Sequence, residues 1–374
     1  MDFMKLGEIT SISMGKTPSR NNYEYWNGEN TWVSIADLKD KYIEDSKEKI
    51  TDIAVNESKI KLIPENTVIM SFKLSIGKVA ITKTPLYTNE AIAHFIPKKE
   101  IVTEYLYYAL QSIDYNQYVD KAVKGKTLNL KKLNNIKVPY CRLDEQKYYA
   151  KLFNCVENLI QTRQDQIQAL DDLVESAFDQ MFGSIKTNKT TLKNLIKFNN
   201  KNINDFENYI DFYYLGVEDI EKDTGKILSK VKVSDVEIKS SKKFFTVENV
   251  LYSRIRPNLN KVALPDFSGL ISTEVYVLEC REDINKYFLT HVLRSNRFVA
   301  YAMLNSTGAN FPRVSQQAIE SYSLYLPPIE KQNQFAAFVE KIEKQKQILN
   351  DSLRELTDLF DSLMQDAFDG SMTM

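Results

Sequence analysis

Leu143-Asp-Glu-Gln146-Lys-Tyr-Tyr149-Ala-Lys-Leu-Phe153-Asn-Cys-Val156 opens a long periodic stretch that closes at Phe182-Gly183, and the chain writes that stretch twice. The second copy begins Ile329-Glu-Lys-Gln332-Asn-Gln-Phe335-Ala-Ala-Phe-Val339 and closes at Phe368-Asp-Gly370. In the first copy Tyr149, Phe153, Val156, Ile160, Ile167, Leu170, Val174, Ala177 and Met181 fall at alternating steps of four and three, with Arg163 in the one polar slot. In the second, Phe335, Val339, Ile342, Leu349, Leu353, Leu356, Phe360, Leu363 and Ala367 do the same around Lys346. A seam of period 3.5 held this long predicts two coiled-coil helices. A proline-bearing segment precedes each copy and a glycine ends it, which are helix start and stop signals.

The copying extends upstream. Gln146 and Gln332 are 186 residues apart, as are Leu6 and Leu192. Trp32-Val-Ser-Ile-Ala-Asp37-Leu matches Tyr214-Leu-Gly-Val-Glu-Asp219-Ile at an offset of 182. Val68-Ile-Met-Ser71 matches Val250-Leu-Tyr-Ser253 at the same offset, and Lys78-Val-Ala matches Lys261-Val-Ala at 183. A period this long exceeds the 20–50 residues of a solenoid unit. It predicts two homologous domains, 1–143 and 184–328, each followed by its own spacer helix, 144–183 and 329–370. The second helix leaves the domain that the first helix enters, so the pair should run antiparallel. At ~1.5 Å per residue each would be a rod of about 55–60 Å, with the domains related by a pseudo-twofold.

Charge follows the same partition. Segment 1–143 carries 21 basic and 17 acidic residues, and 184–328 carries 20 and 16. The helical segments 144–183 and 329–374 carry 3 against 8 and 5 against 9. Two mildly basic domains therefore alternate with two acidic helices, although an excess of four is ordinary for a domain of this size. Basic domains suit phosphate contacts and acidic helices do not. The N-terminal stretch lacks an apolar signal region, and no window of about 18 residues is uninterruptedly apolar. Three widely spaced cysteines (Cys141, Cys155, Cys280) fit a reduced, cytoplasmic setting.

Within each domain the reading is mixed α/β (α+β) with short strands. Thr67–Phe72 and Asn249–Arg254 read as buried strands. Each enters a polar loop, Lys73-Leu-Ser-Ile-Gly77-Lys78 or Ile255-Arg256-Pro-Asn258-Leu-Asn260-Lys261, and returns to a Val-Ala strand. Short amphipathic helices are expected over Tyr105–Ser112 and Phe288–Ser295. A glycine loop follows each, Lys124-Gly-Lys126-Thr127-Leu-Asn129 and Ser306-Thr-Gly308-Ala-Asn310-Phe-Pro-Arg313. The loops differ most between the copies while their flanks agree, which is where a repeated scaffold carries specificity.

No catalytic constellation emerges. The two Gly-Lys-Thr tripeptides lack the upstream glycine of a phosphate loop, since Thr10 and Asp120 stand there. His94 and His291 lie in different domains, and there is no Cys-x-x-Cys. The nuclease-like run Pro265-Asp266 to Glu274-Val-Tyr and Glu279-Cys-Arg lacks its lysine, and no Asn-Pro-Pro-aromatic motif marks an amino-methyltransferase. The chain reads as a non-enzyme.

In their order these residues resemble the specificity subunit of type I restriction–modification systems. The carriers are Leu6-Gly-Glu-Ile, Met14-Gly-Lys-Thr17-Pro18-Ser19, Tyr25-Trp26-x-Gly28, Trp32-Val-Ser, the run from Ser71 to Ile81, Asn89-Glu-Ala-Ile-Ala, and Leu326-Pro-Pro-Ile-Glu-Lys-Gln332. Val138-Pro-Tyr-Cys-Arg-Leu-Asp-Glu-Gln146 lacks the second proline, and no Gly-Lys-Thr-Pro-Ser run follows Leu192. The resemblance implies two target recognition domains that each read half of a bipartite, asymmetric site in double-stranded DNA. It implies two copies of a DNA adenine methyltransferase subunit and restriction/translocase subunits as partners. S-adenosylmethionine, ATP and magnesium would sit on those partners, leaving this chain without cofactor or metal.

Loop position and side-chain chemistry nominate Lys16, Thr17, Ser19, Arg20, Lys73, Lys78 and Lys126 as DNA contacts of the first domain. Arg254, Arg256, Asn258, Lys261, Asn310 and Arg313 serve the second. Leu152, Leu159, Leu173, Phe338 and Leu359 beside the seams, with Leu170 and Leu356 in them, are the expected partner-docking residues. A scaffold reading without DNA, two paralogous protein-binding domains on a coiled coil, is the alternative from another class. A self-contained restriction–modification enzyme is disfavoured by the missing motifs.

Overall fold

The computed structural model describes residues 2–118 and 128–369. Two compact units divide the chain, Met1–Gln164 with Asp351–Met374, and Asp165–Asn350. The boundaries fall inside the two long helices, so each unit owns one globular domain plus half of each helix. Among the described residues no helix is long and apolar enough to cross a membrane.

The first unit begins with β1 (Asp2–Lys5), α1 (Leu6–Ile9) and β2 (Thr10–Met14), followed by β3 (Trp26–Val33), β4 (Tyr42–Ile43), β5 (Glu48–Ile50) and α2 (Asp52–Ser58). Then come β6 (Val68–Ser71), β7 (Val79–Thr82), β8 (Tyr87–Thr88), β9 (Ile92–Pro97), α3 (Thr103–Gln111), α4 (Leu130–Asn135), β10 (Lys137–Tyr140) and the long helix α5 (Leu143–Phe182). Five strands in the order β2-β9-β6-β7-β4 form the main sheet, with β5-β3-β8 as a smaller one. Every residue of β6 and β7 is buried, as expected where a sheet is covered on both faces.

The second unit repeats this plan. It runs through β11 (Lys189–Thr191), α6 (Leu192–Leu195), β12 (Ile196–Asn199), β13 (Asn202–Ile203), β14 (Tyr213–Leu215), β15 (Val231–Lys232), β16 (Lys242–Phe245) and β17 (Asn249–Ser253). It continues with β18 (Val262–Ala263), β19 (Gly269–Ser272), β20 (Val275–Cys280), α7 (Lys286–Arg294) and α8 (Asn296–Leu304). The last elements are β21 (Ser306–Thr307), β22 (Arg313–Val314), α9 (Gln316–Glu320), β23 (Ser323–Tyr325) and the long helix α10 (Ile329–Asp369). The sheet β12-β20-β17-β18 matches β2-β9-β6-β7 strand for strand. The units differ in their second sheet, which is five-stranded here, β13-β16-β19-β14-β15.

Why the domains hold their helices is visible in α3, where six consecutive residues, Tyr105 to Leu110, are buried. A helix apolar all round must be covered on every side. The main sheet covers one side, and Tyr149 and Phe153 of α5 with Met364, Ala367 and Phe368 of α10 join the same core. In the second unit Phe288, Leu289 and Leu293 of α7 share a core with Val174, Phe182, Phe335, Val339 and Ile342. The helix halves pair antiparallel within each unit. Phe182 packs on Phe335 at 5.5 Å between ring centres, and eleven residues back Asp171 meets Lys346, eleven residues forward, at 2.6 Å. In the first unit Phe153 lies between Phe360 and Phe368, at 6.1 and 5.6 Å.

The glutamine that marked each repeat is a brace. Gln146 and Gln332 are fully buried. Gln146 Oε1 accepts from Val102 N, the residue capping α3, at 2.9 Å, while its Nε2 donates to Cys141 O at 2.8 Å. Gln332 accepts from Asn285 N, the cap of α7, at 2.9 Å and donates to Asp283 O and Pro327 O. Replacement by leucine strands these buried groups, each at about 1–3 kcal/mol. Gln146→Leu or Gln332→Leu should therefore cost roughly 2–4 kcal/mol in urea unfolding with an unchanged m-value. A loss below about 1 kcal/mol would remove the brace from the account.

Candidate DNA interface

Most of the sequence-nominated side chains of the first domain lie in one loop, between β2 and β3. Gly15 is required there, because a Cβ would stand 2.1 Å from Thr88 O. Lys16 N donates to that same oxygen at 2.9 Å, and Lys16 O accepts from Trp32 Nε1 at 3.1 Å. The Lys16 ammonium lies exposed with a bond to Ser58 O at 2.7 Å. Thr17 donates to Glu90, and Ser19 O accepts from Trp26 Nε1. Arg20, nominated as a DNA contact, is held by partners within the domain. Its guanidinium pairs with Glu48 through two bonds and lies 3.9 Å from the Trp26 ring centre. That pairing holds the Glu48 carboxyl below its usual range.

The β6–β7 and β17–β18 loops form a matched pair. Leu74 and Arg256, equivalent at the 182 offset, both sit in the left-handed region, with φ of 63° and 49°. Gly77 and Asn260 repeat this at 89° and 47°. Ser71 N donates to Lys78 O at 2.9 Å, and Ser253 N to Lys261 O at 3.0 Å. Ser71 Oγ donates to Ser75 O, and Ser253 Oγ to Ile255 O. Leu128 N bonds Phe72 O just as Val314 N bonds Arg254 O. One backbone design thus carries two sets of side chains.

In the first loop Lys73 lies 5.3 Å from the Phe72 ring centre and Lys78 is exposed. Lys126 lies outside the described residues. The second loop is richer in charge. Arg313 makes a two-point ion pair with Glu274, at 3.0 and 3.2 Å, and Arg254 Nε stands 3.9 Å from the same carboxylate. Arg256 is exposed and stacks on Phe311 at 4.5 Å. Asn258 and Asn310 are exposed. Lys261 turns inward instead, its ammonium bonded to Val217 O at 2.9 Å. The pairing roles of Glu48, Glu90 and Glu274 escaped the sequence reading, because each meets its partner only through the fold. Glu274-Val-Tyr276 stood out as a failed nuclease motif; its carboxylate serves here as a counter-charge.

On the helices the nominated docking residues separate by environment. Leu173 and Leu359, equivalent at the 186 offset, are both nearly half exposed, as is Leu159. Leu152 and Leu356 are partly buried. Leu170 and Phe338 pack against the core of the second unit, so they are engaged within it. Among the described residues no three His, Cys, Asp or Glu side chains form a metal-sized cluster.

The protein is thus a duplicated α+β domain whose loops differ between the copies, each copy packed on half of two long helices. The chain belongs to the family of the type I restriction modification DNA specificity domain, which matches residues 1–171 and 182–358. It is 31% identical over 187 residues to the type I restriction enzyme MjaIX specificity subunit of Methanocaldococcus jannaschii, covering 48% of this chain and 43% of that one. It is 29% identical over 197 residues to the EcoR124I/EcoR124II specificity subunit of Escherichia coli, covering 47% and 48%. The matched part thus spans about half the length of these curated relatives. The fold is similar to the crystal structure of the type I restriction–modification S subunit from M. genitalium, with a TM-score of 0.61 at 14% identity, covering 100% of this chain and 96% of that one. It is also similar to a chain solved in work on complex assembly and conformational transition of the type I R-M system, with a TM-score of 0.57 at 15% identity over 98% and 97%.

Proposed function

We propose that this chain is the non-catalytic DNA reader of a type I restriction–modification complex. Each domain reads one short half of a bipartite, asymmetric site, and partner subunits methylate adenine and restrict. The observation carrying this reading is the duplicated domain whose copies share the strands of the main sheet but differ in their second sheet, three-stranded in the first and five-stranded in the second. Two equal readers would specify a repeat, whereas two unequal ones specify unlike half-sites. The exposed equivalents Leu173 and Leu359, with Leu159, offer apolar footholds for two methyltransferase subunits. Those subunits would hold S-adenosylmethionine, and the restriction subunits ATP and magnesium. The setting would be the cytoplasm, where chromosomal DNA and a reducing environment for the three cysteines coincide.

Co-expression with the methyltransferase subunit in a methylation-free host, followed by sequencing of native DNA, tests this. The expected result is adenine methylation at two unequal half-sites around a spacer of constant length, one methyl group per half-site on opposite strands. The half-sites should lie about one helical turn, ~10 bp, apart centre to centre. A continuous palindrome, or no new methylation beside an active methyltransferase subunit, would overturn the reading and favour the scaffold.

A further inference from the structure

The β17–β18 loop gathers more positive charge than its surroundings neutralise. Lys243, on β16, places its ammonium 5.2 Å from the Tyr276 ring centre, and the Arg254 guanidinium lies 5.5 Å from the same ring. Arg313 and Arg254 share Glu274, and Arg256 stacks on Phe311 beside them. Two of these four cations, Arg254 and Arg313, share one carboxylate, and among the described contacts Lys243 and Arg256 pair with none. The Arg254 Nε–H is enclosed with no hydrogen-bond partner. Burial and the charge of Arg254 both lower the Lys243 pKa, so these cations already crowd one another. Among the described residues the equivalent loop of the first domain carries Lys73 and Lys78 but no arginine. Phe72 stands for Arg254 and is buried, and Leu74 stands for Arg256 with 76% of its surface exposed.

We propose that Lys243, Arg254, Arg256 and Arg313 of the second domain form a clamp for DNA backbone phosphate. This rests on the DNA-reading function above and divides its labour. The pairing of Arg313 and Arg254 with Glu274 fixes their orientation before DNA arrives, and the aromatic faces of Tyr276 and Phe311 hold the other charges in place. Guanidinium groups pre-set in this way suit phosphate oxygens, which position a duplex without reporting its sequence. The sequence is read by other loops.

The test measures binding of the full chain to a fluorescent duplex of unrelated sequence between 50 and 200 mM salt, alongside the methylated motif in the co-expression host. Arg256→Gly keeps the left-handed backbone unstrained, Arg254→Met keeps the packing against Tyr276, and Leu74→Ala is the control in the first domain. Each arginine variant should flatten the plot of log K against log salt by about 1, weakening binding on every sequence. The methylated motif should stay as in the parent, and Leu74→Ala should leave the slope unchanged. An unchanged slope in both arginine variants overturns the clamp. So does a motif relaxed at one base with intact non-specific binding, since that marks a base reader. If the parent itself neither binds duplex nor directs methylation, the function proposed above fails and the clamp with it.

Discussion

Phe335→Ala is expected to destabilise the second unit by about 3–5 kcal/mol, the usual cost of emptying a buried aromatic site. Phe335 is fully buried, with the rings of Phe178, Phe182 and His291 at 5.4, 5.5 and 5.0 Å. Two of those rings belong to α5 and the third to α7, so the side chain joins both long helices to the domain. At the first unit the equivalent junction centres one turn further along, on Phe153, with Tyr108 at 5.1 Å and Phe368 at 5.6 Å. Amide hydrogen exchange reads the two substitutions separately. Phe335→Ala should speed exchange over residues 286–294, and Phe153→Ala over residues 103–111. A denaturant midpoint within about 1 kcal/mol of the parent would mean that the domains hold their helices by other contacts. It would also weaken the idea that the helices set a fixed geometry for the loops.

The same residues explain how much of this could be read in advance. Phe153 and Phe335 were legible because a helical seam is a local periodic signal that the duplication states twice, whereas Phe182 and Phe368 showed only as the ends of the two copies, one position past the seam residues Met181 and Ala367. The paired loops were legible for the same reason: Val68–Ser71 and Val250–Ser253 announce buried strands that each enter a polar loop, while the left-handed turns at Gly77 and Asn260 show only in the structure. The ion pairs were not. Arg20 meets Glu48 from 28 residues away and Arg313 meets Glu274 from 39. Nothing local distinguishes those arginines from Arg256, which meets no carboxylate among the described contacts. Strand β16 was also hidden. Lys242 and Lys243 are both buried in it, a pattern that ordinary alternation would assign to solvent. Lysine can be buried there because its stem packs on apolar surface while the ammonium finds Ser240 in one case and the Tyr276 face in the other. The candidate site was thus legible as a place, and the role of each cation in it was set by tertiary partners.

Mild acid should destabilise the protein well before its carboxylates titrate. His94 is buried with Ser13 Oγ 3.1 Å from Nδ1 and Thr88 Oγ1 3.0 Å from Nε2, and burial together with Lys61 lowers its pKa from 6.5 to about 4. His291 is enclosed by the rings of Phe178 and Phe335, and burial together with Arg294 and Lys346 lowers it to about 4 as well. Both imidazoles are therefore neutral in the folded chain at pH values where the unfolded chain already binds protons. For a group depressed on folding, stability is full above the unfolded value and falls as pH drops toward the folded one. The window is thus pH 6.5 down to about 4. Each histidine can remove at most about 3 kcal/mol across that window, with a slope of up to ~1.4 kcal/mol per pH unit. The lowered carboxylates Glu48 and Glu90 contribute mainly below pH 4.5, at the far end of the window. Urea unfolding at pH 7.5, 6.5, 5.5 and 4.5 separates the two groups. The parent should lose most of its stability change between 6.5 and 4.5, while His94→Gln and His291→Leu should each flatten that fall by about half, whatever their cost at pH 7.5. Parallel pH profiles for parent and both variants would show that the histidines are not the acid-sensitive groups, and would move attention to the carboxylate pairs that anchor the loops.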